Sequence, residues 1–95
     1  MRSPEQTSRI VLVPFDPTEA IDLSKAAERA GKSQSTLRNW CTQHGLGRRV
    51  GGGVWVVSKA ALSMFLDGDH EALAAYHRGD RSSALVQTYF DRYRK

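Results

Sequence analysis

The chain has 95 residues, of which 40% are hydrophobic and 25% are charged, and its formal net charge is +4. This length suits one small domain and leaves little room for a large substrate cleft. The apolar run at residues 10–13 is too short to cross a membrane, and the polar residues 1–7 do not resemble a signal peptide. Cys41 is the single cysteine, so we expect no internal disulfide and a cytoplasmic protein.

Charge is unevenly distributed along the chain. Residues 1–22 are acidic on balance, residues 67–95 are balanced, and residues 23–66 carry seven basic side chains against the single carboxylate of Glu28. A basic block of this kind can hold a polyanion such as the phosphate backbone of DNA. A solvated basic surface explains the charge equally well, so charge alone leaves both interpretations open.

In chain order, the first predicted feature is a short strand or extended arm at residues 9–13. Pro14 and Pro17 end it, and its apolar residues are expected to cover part of the core. Residues 22–31 then predict a short helix with Ser24 as its N-cap and Gly31 as its stop. Its small alanines allow close packing against a neighbouring helix.

A second helix is predicted to begin after Ser33 or Ser35 and to end at Gly45. Two short helices joined by a tight turn with glycine are typical of the helix-turn-helix, whose second helix can enter the DNA major groove. The predicted buried face consists of Leu37, Trp40, Cys41 and His44. The predicted outward face consists of Ser35, Thr36, Arg38, Asn39, Thr42 and Gln43. Such side chains suit base edges and phosphates, although an ordinary amphipathic surface helix has the same pattern.

A predicted β-hairpin favours the DNA-binding interpretation. The β-prone residues 48–50 and 54–57 flank a glycine triplet that supplies the positive φ angles of a tight turn. At least one of Arg48 and Arg49 should face outward because side chains alternate along a strand, whereas Trp55 is expected to pack in the core. Nucleotide binding is not favoured, because the glycines precede a strand and no G-x-x-x-x-G-K-[ST] pattern is present.

The remaining sequence predicts three helices. Ser58 is the expected N-cap of the first, whose buried face is predicted to contain Ala61, Leu62, Phe65 and Leu66. Two further helices are separated at residues 79–80. The predicted fold class is therefore mainly α with a small β-hairpin, a winged helix-turn-helix with added C-terminal helices. We expect an N-terminal arm or strand at residues 1–21, a DNA-binding domain at 22–67, and a helical extension of the same domain at 68–95.

The order helix, tight turn, helix, wing, helix resembles the excisionase family and the wider MerR-like winged-helix group over residues 22–67. The segments that carry the resemblance are Leu23-Ser24 with Ala26-Ala27, Ser35-Thr36-Leu37-Arg38-Asn39-Trp40, Gly45-Leu46, and Val50-Gly51 leading to Trp55-Val56-Val57-Ser58. Excisionases, also called recombination directionality factors, bind and bend DNA near an attachment site and help an integrase to excise a mobile element. The chain departs from some excisionases in having glycine rather than arginine at the wing tip.

The resemblance implies base and phosphate contacts from the second helix, with the wing at the adjacent minor groove. Together with the residue pattern it gives the expected DNA contacts: Ser24, Lys25, Ser33, Ser35, Thr36, Arg38, Asn39, Thr42, Gln43, Arg48, Arg49, Gly51 and Gly52. The alternative is a small transcriptional regulator of the MerR-like winged-helix type, although classical members carry a long dimerisation helix and an effector region. A third hypothesis is a phage packaging protein or another protein-interaction module.

Catalysis and metal binding are not favoured by the residue patterns. Three histidines lack an H-E-x-x-H pattern or a cysteine pair, and carboxylates at residues 67–71 are expected at a helix start. We expect no cofactor. Core packing is the first interpretation of Tyr89, Phe90 and Tyr93, but exposed rings would dock an integrase or a neighbouring copy, giving head-to-tail self-association along double-stranded DNA. The expected location is the bacterial cytoplasm, at the nucleoid.

Overall fold

The five helices and the hairpin expected from the sequence are present, together with one additional strand. The computed structural model describes residues 9–94, so the predicted arm is described only from Arg9 onward, and residues 1–8 and Lys95 lie outside it. The elements are β1 (Ala20–Asp22), α1 (Leu23–Ala30), α2 (Gln34–His44), β2 (Gly47–Val50), β3 (Val54–Ser58), α3 (Lys59–Asp67), α4 (His70–His77) and α5 (Ala84–Arg94). The fold class is confirmed as a winged helix-turn-helix with added helices. None of the helices described is long and apolar enough to cross a bilayer.

A three-stranded antiparallel sheet has the order β1-β3-β2. The β2–β3 hairpin is the predicted wing, in which Arg49 lies opposite Trp55, and Gly51 and Gly52 turn the chain with φ angles of 63° and 93°. Strand β1 was not predicted; it pairs with the other edge of β3, placing Ile21 opposite Val57. The wing is therefore joined by its own sheet to the strand that leads into α1.

Residues 9–12, which we call the N-terminal strap, form no strand, so of the two alternatives expected for residues 9–13 the strand is wrong. Their backbone groups bond to side chains and a helix end instead of to another strand: the Ile10 N–H donates to the His77 carbonyl at 2.9 Å, and the Arg81 guanidinium donates to the Ile10 carbonyl at 2.9 Å. Val11 and Leu12 are buried, so the predicted covering of the core is confirmed.

Capping residues mark the ends of the two helices of the helix-turn-helix. Helix α1 is capped by Asp22, whose side chain accepts from the Lys25 N–H at 2.8 Å, so the prediction of Ser24 as N-cap is wrong by two residues. Because the last residue of β1 is itself the N-cap, the chain passes from strand to helix without a loop. Gly31 ends α1 and Gly45 ends α2 with φ angles of 70° and 65°, as predicted.

The core lies between the helix-turn-helix and the three C-terminal helices. Its largest buried side chains include Leu37 of α2, Leu62 and Met64 of α3, and Tyr76 of α4. One predicted core residue is wrong: Leu66 is 46% exposed, because α3 turns the face that carries Met64 inward and Leu66 lies on the opposite side.

A buried polar network connects four parts of this core. The carboxylate of Glu19, which is 2% exposed, accepts from the hydroxyls of Ser58 and Tyr76. The Ser58 hydroxyl in turn accepts a hydrogen bond from the Ala61 N–H, and the Tyr76 hydroxyl accepts one from the Leu12 N–H, both at 3.0 Å. Burial, followed by the nearby Glu19 carboxylate, raises the pKa of Tyr76, which keeps its hydroxyl a proton donor. Hydrogen-bonded buried groups thus hold together the strap, the residue before β1, the start of α3 and α4.

Candidate nucleic-acid interface

The packing of α2 determines which of its faces reaches solvent. Leu37 and Cys41 are buried, whereas Trp40 and His44 are half-buried and pack on the Phe65 ring of α3, with ring centroids 4.8 and 4.6 Å apart. The predicted inward face is therefore confirmed. Burial raises the pKa of Cys41 to about 11, so its thiol is protonated near neutral pH and packs as an apolar group.

The opposite face of α2 is polar and lies in solvent. Its exposed members are Ser35, Arg38, Asn39, Thr42 and Gln43. The side chains of Arg38 and Asn39 make no hydrogen bond or ion pair with the described residues, so their donors and acceptors are available to a ligand. No carboxylate occurs in the sequence between Glu28 and Asp67, which keeps this surface free of groups that would repel phosphates.

Two of the expected contacts also build the helix start. The Ser33 hydroxyl accepts from the Thr36 N–H at 3.1 Å and donates to the Thr36 hydroxyl at 3.0 Å. Ser33 is thus the N-cap of α2, one of the two candidates that the sequence offered. Ser24 and Lys25 are exposed in the first turn of α1, the helix that packs on α2.

The two wing arginines point in different directions, as strand alternation requires. Arg49 is exposed, with its guanidinium carbon 5.6 Å from the centre of the Trp55 ring. Arg48 turns toward the N-terminal strap, where its Nε donates to the Val11 carbonyl at 2.9 Å and its Nη2 to the Leu12 carbonyl at 3.0 Å. Arg49 is therefore available to DNA at the wing, together with the exposed Gly51 and Gly52, whereas Arg48 fastens the base of the wing.

The C-terminal end of α2 has two contacts that sequence reasoning missed. Arg9 of the strap donates to the Gln43 carbonyl at 2.9 Å, and His77 of α4 contacts the Gly45 carbonyl through Nε2 at 2.8 Å. Burial is the main reason that the pKa of His77 is lowered, so the neutral ring donates this hydrogen bond. These contacts join residues more than 30 positions apart, for which local periodicity gives no signal.

The predicted partner-binding rings lie mostly inside the molecule. Tyr89 and Phe90 are 5% and 3% exposed, and Phe90 packs beside Tyr76 and the half-buried Tyr93. The docking role expected for exposed rings is therefore corrected for Tyr89 and Phe90, because α5 turns them into the core. Among the described residues no three His, Cys, Asp or Glu side chains are grouped to hold a metal ion.

Two helices joined by a tight glycine-containing turn, a polar outward face on the second helix and an adjoining hairpin define a winged helix-turn-helix domain. A family model described as a helix-turn-helix domain matches residues 21–70, more than half of the chain, and the chain belongs to this family. The chain matches no curated protein and no solved structure. Membership of the family indicates that this domain binds DNA.

Proposed function

We propose that the protein is a non-enzymatic, sequence-specific architectural DNA-binding protein, an excisionase that binds and bends attachment-site DNA to promote integrase-mediated excision of a mobile element. The observation that best supports this proposal is the exposed polar face of α2, on which the side chains of Arg38 and Asn39 have no partner among the described residues. The helix-turn-helix family to which the chain belongs includes excisionase-like proteins, which supports the choice. Its proposed location is the bacterial cytoplasm, at the nucleoid.

Each expected contact except Arg48, whose guanidinium is bonded to the strap, has a proposed part in this interface. Arg38 reads guanine or phosphate and Asn39 reads adenine in the major groove, because their forked donor and acceptor groups match those base edges. Arg49 follows the adjacent minor groove or its phosphates. The remaining proposed contacts position the backbone: Ser24, Lys25, Ser33, Ser35, Thr36, Thr42, Gln43, Gly51 and Gly52.

The proposed division of labour assigns DNA reading to residues 22–67 and support to residues 68–95. Helices α4 and α5 pack on α3 and on each other, and α3 receives the buried side of α2 through Phe65. The extension therefore completes the core of the same domain in this proposal.

Single alanine substitutions test the reading surface. Arg38→Ala and Asn39→Ala should each weaken binding to a duplex selected by the wild-type protein by about 1–3 kcal/mol. The matched control is Arg78→Ala, which removes an equal charge from the exposed end of α4. Salt titrations should show a negative slope of affinity against salt for all three variants. Unchanged binding by both α2 variants would refute the assignment of this face.

The excisionase role and the regulator alternative differ in their requirement for an integrase. With a tyrosine integrase and a substrate carrying attachment sites, addition of the protein should increase excision and bend the DNA. A regulator instead changes the output of a promoter reporter that contains no integrase. Excision without any effect on the promoter would support our proposal. A promoter effect without excision would instead identify the protein as a regulator. Gel shift on DNA with repeated sites tests head-to-tail self-association, for which only the half-buried Tyr93 remains of the three rings expected to dock a partner.

A further inference from the structure

A second basic surface lies on the side of the molecule, between α1, β1 and the start of α3. This lateral basic groove has a volume of about 500 Å³ and is lined by Ile21, Lys25, Glu28, Arg29 and Lys59. Lys25 and Arg29 lie one turn apart on α1, and Lys59 is the first residue of α3. Three cations from two elements therefore line one groove beside a single carboxylate.

Two of the three cations lie where they oppose the helix dipole, whereas Arg29 lies in the last turn of α1, where the dipole favours a cation. Like charges four residues apart, such as Lys25 and Arg29, repel each other, and cations in a first helical turn, such as Lys25 and Lys59, oppose the helix dipole. Neither helix has an acidic residue in its first turn. Among residues 9–94 none of the three makes an ion pair, and the Lys59 ammonium lies 5.3 Å from the centre of the Tyr93 ring. A bound anion would relieve this concentration of positive charge.

The groove is continuous with the DNA-binding surface proposed above. Lys25 belongs to both, since it lies in the first turn of α1, and Arg29 and Lys59 extend the positive surface from there toward α3. A row of cations with Ile21 as the one apolar lining residue suits a phosphodiester backbone better than a peptide, which binds through apolar pockets. A bent duplex needs contacts of this kind, because they offset the elastic cost of the bend.

We propose that the lateral basic groove is a second phosphate-binding surface, which holds duplex DNA that flanks the site read by α2. This inference rests on the proposed DNA-binding function. Arg29 and Lys59 are its defining residues, and both act on the phosphate backbone without regard to sequence. The carboxylate of Glu28 partly neutralises the positive charge of the groove.

The test compares one selected site in two duplexes, one of roughly 15 base pairs and one of roughly 40, or about one and a half and four helical turns. For Arg29→Ala with Lys59→Ala, the slope of log affinity against log salt should become about 1.8 less negative on the long duplex, since each lost phosphate contact contributes about 0.9. Binding to the short duplex should match the wild type. Fluorescence resonance energy transfer between dyes at the two ends of the long duplex should show that the double variant bends it less than the wild type does.

Two further variants keep the test independent of folding. Arg29→Lys with Lys59→Arg retains both charges and should keep the wild-type salt slope, whereas Glu28→Gln should tighten binding to the long duplex several-fold. Thermal unfolding verifies that each variant is folded. Equal losses on both duplexes, or no loss on either, would overturn the proposal. Loss of binding to polyglutamate without any change on DNA would replace it with an acidic protein partner.

Failure of this proposal and failure of the proposed function give different results. If the wild-type protein binds neither duplex in a salt-dependent manner, the DNA-binding function itself fails. If it binds both and the groove variants behave as the wild type does, only the lateral contact is lost.

Discussion

Tyr76→Phe removes one oxygen atom from the centre of the buried polar network. The ring volume is retained, so the cost comes from hydrogen bonds. The Glu19 carboxylate loses one of its two hydroxyl donors, worth about 1.5–3 kcal/mol for a charged acceptor, and the buried Leu12 N–H loses its acceptor, worth about 1–3 kcal/mol. We expect the free energy of unfolding to fall by about 3–5 kcal/mol, a large part of the 5–15 kcal/mol that is typical of small domains.

Urea denaturation followed by far-ultraviolet circular dichroism measures this loss, with the denaturant slope as a check on two-state unfolding. The matched control is Tyr89→Phe, which removes a hydroxyl that bonds to Asp69 at 2.8 Å and lies 3.2 Å from Asp67. Asp67 is exposed and Asp69 is only half-buried, so water can replace much of both contacts and about 1 kcal/mol should be lost there. A loss at Tyr76 no greater than the loss at Tyr89 would refute the role of the buried network.

Three further comparisons use pairs of variants or pairs of conditions. Gly45→Ala should destabilise the protein more than Gly31→Ala in thermal unfolding: both have positive φ, but an added Cβ at Gly45 meets His77 Nε2 at 2.6 Å, whereas the space at Gly31 is open. Because the pKa of folded His77 is lowered below its ordinary 6.5, the unfolded state binds a proton first, and stability should fall as the pH drops from about 7.5 to about 5.5. His77→Gln keeps an amide donor for the Gly45 carbonyl and should flatten that part of the profile; an unchanged profile would contradict the assignment. Arg48→Ala should lower the unfolding free energy by about 1–3 kcal/mol through its two lost hydrogen bonds, whereas Arg49→Ala should leave stability within about 0.5 kcal/mol and weaken DNA binding. The reverse pattern would show that the two arginines have been assigned the wrong way round.

Local signals in the sequence were sufficient for the helix-turn-helix and the wing. Gly31 and Gly45 end their helices in the left-handed conformation, and Ser33 caps α2, because each of these effects depends on one residue and its immediate neighbours. The glycine triplet between two β-prone runs likewise placed the hairpin turn. The outward face of α2 followed from the apolar positions that α3 covers.

Interactions between distant residues were beyond such signals. Strand β1 has three residues, too few for a period-two pattern, and it exists because β3 offers a free edge. Glu19 looks like an ordinary surface carboxylate in the sequence, yet it is buried because Ser58 and Tyr76, 39 and 57 positions away, donate to it. The choice between Asp22 and Ser24 as N-cap depended on where β1 ends, which local preference does not reveal.

The C-terminal helices acquire a physical role from what they hold in place. His77 contacts the carbonyl of Gly45 at the end of α2, and Tyr76 and Arg81 bond to the strap on which Arg48 fastens the wing. The carbonyls at a helix end need partners when they are buried, so α4 completes α2 at the end where its own hydrogen bonds stop. Contacts from outside residues 22–67 thus support both α2 and the wing, in addition to the direct packing of α2 on β2. For this reason the largely buried aromatic residues of α5 support α4, and through α4 the surface that we propose faces DNA.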